Sequence, residues 1–388
     1  MSATAKSSFK LVNAPLELSD RIVIKNRIYF APMGIDMADG DGGFSCEMGE
    51  FYQGIIDGGC GMVVLGNASI HPSTQLHGRG LCLHNENHAK TLASIIKYGV
   101  AKQCPVVIQL QHYGAQGSTA RTGLPVISPS GRACSRMTKN DPQYRVRQMD
   151  ESDIVVVKQQ FLDAAIRAQG AGATMIQLQA ANGYLLSSFL SPLTNQRTDL
   201  YGGSPLRRAR LLLEVVESIG TYCPGLGVLV RLGIDDCMER DGQEPRLLHE
   251  VIVALELAGV KAISCSMAIG ETFHQLLGRS DQARLKLLNG VREIRDVSNI
   301  PIGFSGFVAS LEEAELHLSD GISDFVGMTR ALFADNDLVR KSLDGNSNAV
   351  QKCLFDGNCF RDKGNPDLDR VYCCVNKKYL RPIYVQYR

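Results

Sequence analysis

The sequence has no excess of charge of either sign. Its 388 residues include 41 lysines and arginines against 40 aspartates and glutamates, a formal net charge of +1. Proteins that attract nucleic acids or anionic membranes carry a clear surplus of basic residues. The charge balance supports neither partner, and we expect a small-molecule substrate instead.

Segments that would direct the chain into or across a membrane are also missing. No apolar run approaches the ~20 residues that span a bilayer. Residues 1–10 are small and polar, without the apolar stretch of an export signal. We therefore expect a cytoplasmic protein whose twelve cysteines are mostly reduced thiols.

Internal repeats are absent, and short apolar runs rich in β-branched residues alternate with longer amphipathic segments. Runs that are apolar on both faces and separated by helices are typical of a buried parallel sheet. The pattern predicts strands at 27–33, 61–67, 105–109, 174–178, 228–232, 262–266, 302–305 and 324–328. It predicts helices at 86–102, 153–169, 206–222, 247–258, 281–297 and 311–319.

Eight such units favour a closed α/β barrel of the TIM (β/α)8 type over an open doubly wound sheet. We predict a single barrel domain over residues 1–345 with a C-terminal extension, the tail, at 346–388. Residues 119–151, after the third strand, form a predicted insertion rich in Ser, Arg, Gly and Pro. Loops after barrel strands surround the mouth, so this insertion is a candidate substrate lid. The basic, aromatic end of the tail is a candidate contact in a homo-oligomer.

Polar residues and glycines gather at the predicted carboxyl ends of the strands, where TIM barrels place their functional groups. One such residue alone is usually an ordinary loop residue. Amides and two arginines that converge on one axis are harder to explain without a ligand. The residues at these ends are Gly34, Asn67, Gln109, Gln179, Asn182, Tyr184, Arg231, Ser305, Gly306, Thr329 and Arg330.

Several segments resemble one family in the same order along the chain. NGYLLSSFLSPLTNQRTDLYGGS at 182–204 matches the signature of the Old Yellow Enzyme family nearly residue for residue. That family contains FMN-dependent ene-reductases, and trimethylamine dehydrogenase and dienoyl-CoA reductase are its relatives. The other matching segments are KNRIYFAPM at 25–33, IQLQHYG at 108–114, VRLGIDDCMERDG at 230–242, GFSGF at 303–307 and DGISDFVGMTRALFADNDL at 320–338.

The resemblance implies FMN at the barrel mouth and NAD(P)H as an external reductant. Loops after the last two strands would hold the phosphate through backbone N–H groups, with Arg330 as a forked charge. Gln109 would pair with the pyrimidine edge of the flavin, and Arg231 would lie beside N1 and O2 and stabilise the reduced anion. The cofactor-binding residues implied in this way are Pro32, Met33, Gly34, Asn67, Gln109, Arg231, Ser305, Gly306, Phe307, Gly327, Thr329 and Arg330.

Tyr184 matches the family's tyrosine that protonates the substrate carbon opposite the carbon that receives hydride. A phenol with an ordinary pKa of about 10 is protonated at neutral pH and can donate. The simpler interpretation is a tyrosine of the core or rim.

Two positions depart from the family. Its usual His-x-x-His or His-x-x-Asn pair for a substrate oxygen is here Gln179 and Asn182, which carry no positive charge. Its Thr or Cys near flavin O4 is Gly34. These changes keep open an alternative in which the protein is an FMN-dependent dehydrogenase that oxidises or rearranges a specialised substrate.

The tail holds Cys353, Cys359, Cys373 and Cys374. Iron–sulfur relatives use four cysteines, three of them in the pattern Cys-x2-Cys-x3-Cys. Here Asp356 occupies the second position of that pattern, and Cys359 does not fit its spacing. We predict no metal and a vestigial site with free thiols; a zinc site is the alternative, although the spacing is unusual for zinc.

Two other function classes compete with the flavin enzyme. An isomerase or aldolase barrel would use the same phosphate loops, but no base or Schiff-base lysine follows a predicted strand. A flavin-binding protein without turnover would explain Gln179 and Gly34. The yellow colour of a bound flavin would exclude the isomerase or aldolase. Oxidation of NAD(P)H would exclude the flavin-binding protein without turnover.

Overall fold

Eight parallel strands close into a barrel in a computed structural model, which describes residues 9–19, 21–365 and 367–385. The strands neighbour one another in chain order, and the last pairs with the first through Val326 and Ile28. This confirms the predicted TIM barrel. The barrel strands are β1 (Ile28–Phe30), β2 (Met62–Ser69), β3 (Val106–Gln111), β4 (Met175–Ala180), β5 (Gly227–Asp235), β6 (Ala262–Met267), β7 (Ile302–Ser305) and β8 (Phe325–Gly327).

Helices between the strands cover the outside of the barrel. Each strand has at least one buried apolar side chain, as a sheet covered on both faces requires. The principal helices are α1 (Cys46–Asp57), α2 (Glu86–Ala101), α3 (Glu151–Gly170), α4 (Pro205–Tyr222), α5 (His249–Leu257), α6 (Asp281–Val297), α7 (Leu311–Ser319) and α8 (Arg330–Ala334).

The first of these helices was not predicted. Its sequence, CEMGEFYQGIID, contains two glycines, which weaken the helical pattern. Ser45 caps it by accepting a hydrogen bond from the Met48 N–H at 3.0 Å. Gly58 follows it, where a Cβ would lie 1.7 Å from the carbonyl oxygen of Asn336. The loop after α8 therefore packs directly on the end of α1, a contact between distant parts of the chain.

The segment predicted as an insertion follows β3 and folds against the barrel mouth. It contains short helices at Thr119–Thr122 and Ser135–Asn140 and a small parallel pair of strands, Val126–Ser128 with Val146–Gln148. A further two-stranded sheet, Leu16–Ser19 with Ile22–Ile24, precedes β1.

No helix in the described part of the chain is long and apolar enough to span a bilayer. All twelve cysteines lie in that part, and all have free thiols. The prediction about an export signal concerns residues 1–10, of which 1–8 lie outside the described residues, as do the last three residues of the tail.

Candidate functional site

A cavity of about 630 Å³ opens at the carboxyl ends of the strands. A second cavity of about 150 Å³ adjoins it, and the two share Pro32, Met33 and Arg231 in their walls. The structure brings every predicted site residue to one of them. The larger cavity is lined by Gly34, Asn67, Gln109, Gln179, Asn182 and Tyr184, and the smaller by Ser305, Gly306, Phe307, Gly327, Thr329 and Arg330.

Arg231 brings a guanidinium group from the middle of β5 into the larger cavity. Its Nη2 donates to Ser266 Oγ at 3.2 Å, and its buried Nη1 has no partner among the described residues. Burial lowers the pKa of Arg231 below its ordinary value. A buried cation with a free donor is costly, so this group is suited to an anionic or carbonyl oxygen of a bound molecule.

Gln109, on β3, is buried at the floor of the larger cavity. Its Nε2 donates to Gln177 Oε1 at 2.9 Å. This bond orients the carboxamide and leaves Gln109 Oε1 as the acceptor for a ligand N–H.

Gln179 and Asn182, the pair that replaces the family's histidines, have different environments. Gln179 Oε1 is buried and lacks a hydrogen-bond partner among the described residues. Asn182 Nδ2 instead donates to the carbonyl oxygen of Met267 at 2.9 Å and lies 3.3 Å from Ser266 Oγ. The backbone of Asn182 is left-handed, with φ of 60°. Gln179 is therefore available to a ligand, whereas the Asn182 amide holds the β4 loop against β6.

Tyr184 lines the larger cavity at the start of the short helix Leu185–Leu190. Its ring meets the Tyr113 ring edge to face, with centroids 5.6 Å apart. Burial raises the pKa of Tyr113 well above its ordinary value. Asn67 Nδ2 donates to the Tyr113 hydroxyl at 3.5 Å, so this second phenol supports the wall and does not itself line the cavity.

The smaller cavity lies between the loops after β7 and β8. Gly306 has φ of +138°, a backbone conformation that only glycine adopts readily. Arg330 donates from Nη2 to the Leu276 carbonyl oxygen at 2.8 Å and from Nη1 to that of Leu277. Its guanidinium also lies 4.6 Å from the Phe355 ring centroid. Arg330 thus fixes the loop after β6 while it contributes positive charge to the cavity.

Sequence reasoning missed the part that the tail plays in this site. Phe355 and Cys359 line the smaller cavity, Arg361 lines the larger, and Phe360 and Lys363 line both. The cysteine pattern of the tail suggests metal binding. No periodicity in the tail sequence indicates that it forms a wall of the barrel mouth.

The insertion also supplies lining residues, in the place where a lid was predicted. Arg136 and Met137 come from its second helix. Arg136 lies 5.5 Å from the Phe360 ring centroid, so the insertion and the tail meet over the cavity. His77 also lines the wall, and burial lowers its pKa to about 4.

Two histidines that follow barrel strands, His71 and His112, do not belong to this site. His112 Nδ1 accepts from the Gly114 N–H at 3.0 Å, and burial lowers the pKa of His112 to about 3. His71 accepts from the Ser73 N–H at 3.2 Å. Neither lines the two cavities at the mouth, and His112 lines a separate one of about 220 Å³.

The tail cysteines do not form a metal centre in the structure. Among residues 9–19, 21–365 and 367–385, no three histidine, cysteine or acidic side chains are placed to hold a metal ion. An iron–sulfur cluster does not fit these residues as they lie, and the absence of a metal remains a prediction.

Comparison with known proteins agrees with this geometry. The model of the NADH:flavin oxidoreductase / NADH oxidase family matches residues 12–348. The chain belongs to that family. It is 31% identical over 362 residues to an NADH oxidase of Thermoanaerobacter brockii, a match that covers 92% of this chain and 54% of the relative. It is 28% identical to an NADPH dehydrogenase of Bacillus pumilus, with coverages of 81% and 89%.

Among solved structures, 2-naphthoyl-CoA reductase in complex with 2-naphthoyl-CoA superposes with a TM-score of 0.87 at 22% identity. That likeness covers 96% of this chain and 57% of the reductase, and it supports the fold. The chain spans about half the length of some of the curated relatives that it matches.

Family membership confirms the resemblance to the Old Yellow Enzyme family, whose members are FMN-dependent oxidoreductases. The site fits FMN chemically. The unpartnered Arg231 Nη1 and Gln179 Oε1 are buried polar atoms that face the larger cavity, and glycine-containing loops border the smaller one. The role of each residue remains a proposal.

Proposed function

We propose that this protein uses NAD(P)H to reduce an activated C=C bond of a small molecule. The observation that carries the proposal is the convergence of Gln109, Gln179, Tyr184 and Arg231 on one cavity. When bound, FMN supplies hydride transfer between the nicotinamide and the substrate. Arg231 and Gln109 would hold its ring, and Ser305, Gly306 and Phe307 with Gly327, Thr329 and Arg330 would surround its phosphate.

The residues of this chain would orient the substrate and supply the proton. The side-chain N–H of Gln179 would donate to the oxygen that activates the alkene, and Asn182 keeps that wall in place through its bonds to β6. Tyr184 would give its phenolic proton to the substrate carbon that does not receive hydride. Arg136 and Phe360 would restrict access of water from the insertion and the tail.

The experiment is an anaerobic turnover assay with both nicotinamides. NADH or NADPH should bleach the bound flavin, and an enone, nitroalkene or unsaturated thioester should restore its colour with loss of the C=C bond. A protein whose flavin is never bleached by either nicotinamide would contradict the proposal.

One observation favours a second candidate. The Asn182 amide is occupied and Gln179 is uncharged, so activation of a substrate oxygen is weak. A dehydrogenase that oxidises its own substrate needs no such activation. Bleaching by a substrate in the absence of NAD(P)H would identify this alternative.

A further inference from the structure

Lys363 reaches the barrel mouth from the tail. It lies in the short 3-10 turn Asp362–Gly364 and lines both cavities. A Cβ built on Gly34 would lie 2.6 Å from Lys363 Nζ and 2.9 Å from Asn67 Oδ1. The ammonium group therefore occupies the space that the absent Gly34 side chain leaves at the ends of β1 and β2.

The Lys363 ammonium group forms no direct ion pair with another described residue. Within the described residues, no carboxylate oxygen lies within 4.0 Å of Lys363 Nζ. Asp36 lies in the same wall: its buried Oδ1, which has no hydrogen-bond partner among the described residues, would be 3.8 Å from the Gly34 Cβ, and its Oδ2 lies 3.9 Å from His77 Nδ1. A lysine that points into a cavity in this way is suited to an oxygen of whatever fills the cavity.

The strand order places three groups around the mouth in a definite sequence. Lys363 stands at β1 and β2, Gln109 at β3 and Arg231 at β5. The pyrimidine ring of a flavin presents a carbonyl oxygen, an N–H and a second carbonyl oxygen along one edge. The free Gln109 Oε1 suits the N–H, and the cations on its two sides suit the two carbonyl oxygens.

We propose that Lys363 is a cofactor-positioning residue whose ammonium group, in the place left open by Gly34, binds the flavin carbonyl oxygen on the side opposite Arg231. The inference rests on the proposed function. Hydride transfer from NAD(P)H gives NAD(P)⁺ and leaves the ring with two more electrons and one proton, hence one negative charge. A cation beside the carbonyl stabilises that charge and favours reduction.

The test is the two-electron midpoint potential of bound FMN, measured anaerobically against a reference dye. Lys363→Met keeps the apolar stem and removes the charge, so we expect the equilibrium constant for reduction to fall about tenfold, a shift of about 30 mV. Lys363→Arg keeps the positive charge, so its midpoint potential should stay close to that of the parent protein. Lys377→Met, an exposed lysine in the same tail, is the matched control and should leave the potential unchanged.

A second variant tests the place of the ammonium group as well as its charge. The methyl group of Gly34→Ala would lie 2.6 Å from Nζ, which is too close for non-bonded atoms, and would displace the flexible Lys363 side chain. The midpoint potential of Gly34→Ala should fall as in Lys363→Met. The potential of the variant that combines the two substitutions should fall no further, because both substitutions remove the same contact. Additive shifts would contradict the shared contact.

An unchanged potential in Lys363→Met, with FMN fully bound, would overturn the inference. If this variant instead loses FMN, a dissociation constant raised more than tenfold, against no change in Lys377→Met, would support the contact. Failure of the proposed function looks different: the potential shifts as expected, but no alkene restores the colour of the reduced wild-type protein.

Discussion

At the scale of single residues, the site combines groups that hold a ligand with groups that hold the wall. Arg231 and Gln179 each have a buried polar atom free for a ligand, whereas the Asn182 amide and the Arg330 guanidinium are bonded to carbonyl oxygens. Polar residues that are equivalent in the sequence pattern therefore differ in their hydrogen-bond partners. Only the tertiary contacts distinguish them.

Tyr184→Phe should separate the two halves of the reaction. Reduction of the flavin by NAD(P)H needs no side-chain proton, so its rate should be nearly unchanged. Alkene reduction should slow by about 10²-fold or more, the usual scale for a positioned general acid. Rapid-mixing absorbance in each half-reaction measures both rates.

Arg231→Ala is the comparison, since it should impair flavin reduction or FMN retention instead. If Tyr184→Phe reduces alkenes at the parent rate, the proton comes from water or another group. If it slows flavin reduction, the dehydrogenase alternative is favoured.

His112 should make stability sensitive to acid. Its pKa is lowered to about 3 by burial, whereas in the unfolded chain it is about 6.5. The unfolded state thus takes up the proton first, and stability is lost as the pH falls below about 6.5, by about 2 kcal/mol at pH 5.

His112→Asn keeps an acceptor near the Gly114 N–H and removes the titration. The fall in Tm between pH 7 and pH 5 should be smaller in this variant than in the parent. His274→Asn, at an exposed position, is the control. Equal slopes in His112→Asn and the parent would show that another group controls the acid response.

At the scale of elements, the regular units were predictable and the irregular ones were not. The helices Asp281–Val297 and Leu311–Ser319 have the predicted bounds, because their apolar spacing and caps are local properties. Helix α1 was not predicted because Gly49 and Gly54 weaken its helical pattern, and the packing of Gly54 and Gly58 against Asn336 is a contact between distant parts of the chain. Phe360 and Lys363 were not predicted for the same reason: they reach the barrel mouth through contacts with distant parts of the chain, and no local sequence pattern indicates such contacts.

The tail should remain free of iron. Asp356 stands where a cysteine ligand is expected, and Cys359 does not fit the spacing of the remaining ligands. We expect less than one iron atom per chain after anaerobic purification, measured by elemental analysis. Stoichiometric iron with acid-labile sulfide would contradict this, and one zinc per chain would support the four-cysteine alternative.

At the scale of the whole molecule, the two adjoining cavities match one mononucleotide. The larger, of about 630 Å³, would hold the ring system and a substrate, and the smaller, of about 150 Å³, lies at the loops after β7 and β8, where we expect the phosphate. Three phenylalanines line the smaller cavity as well: Phe273, Phe355 and Phe360.

The purified protein should therefore be yellow and should release FMN, not FAD, on denaturation. Chromatography of the released flavin against both standards checks this. A colourless protein that takes up no added FMN, or one that releases FAD, would contradict the assignment of the phosphate loops.

The walls of the barrel mouth come from both ends of the described chain, and this has a consequence for biosynthesis. Pro32 and Gly34 leave the ribosome more than 300 residues before Phe355, Phe360 and Lys363, which lie against the same cavities. The nascent polypeptide cannot assemble a complete cofactor site before translation has passed residue 363. We therefore expect the complete FMN site to form only after all eight strands have been synthesised.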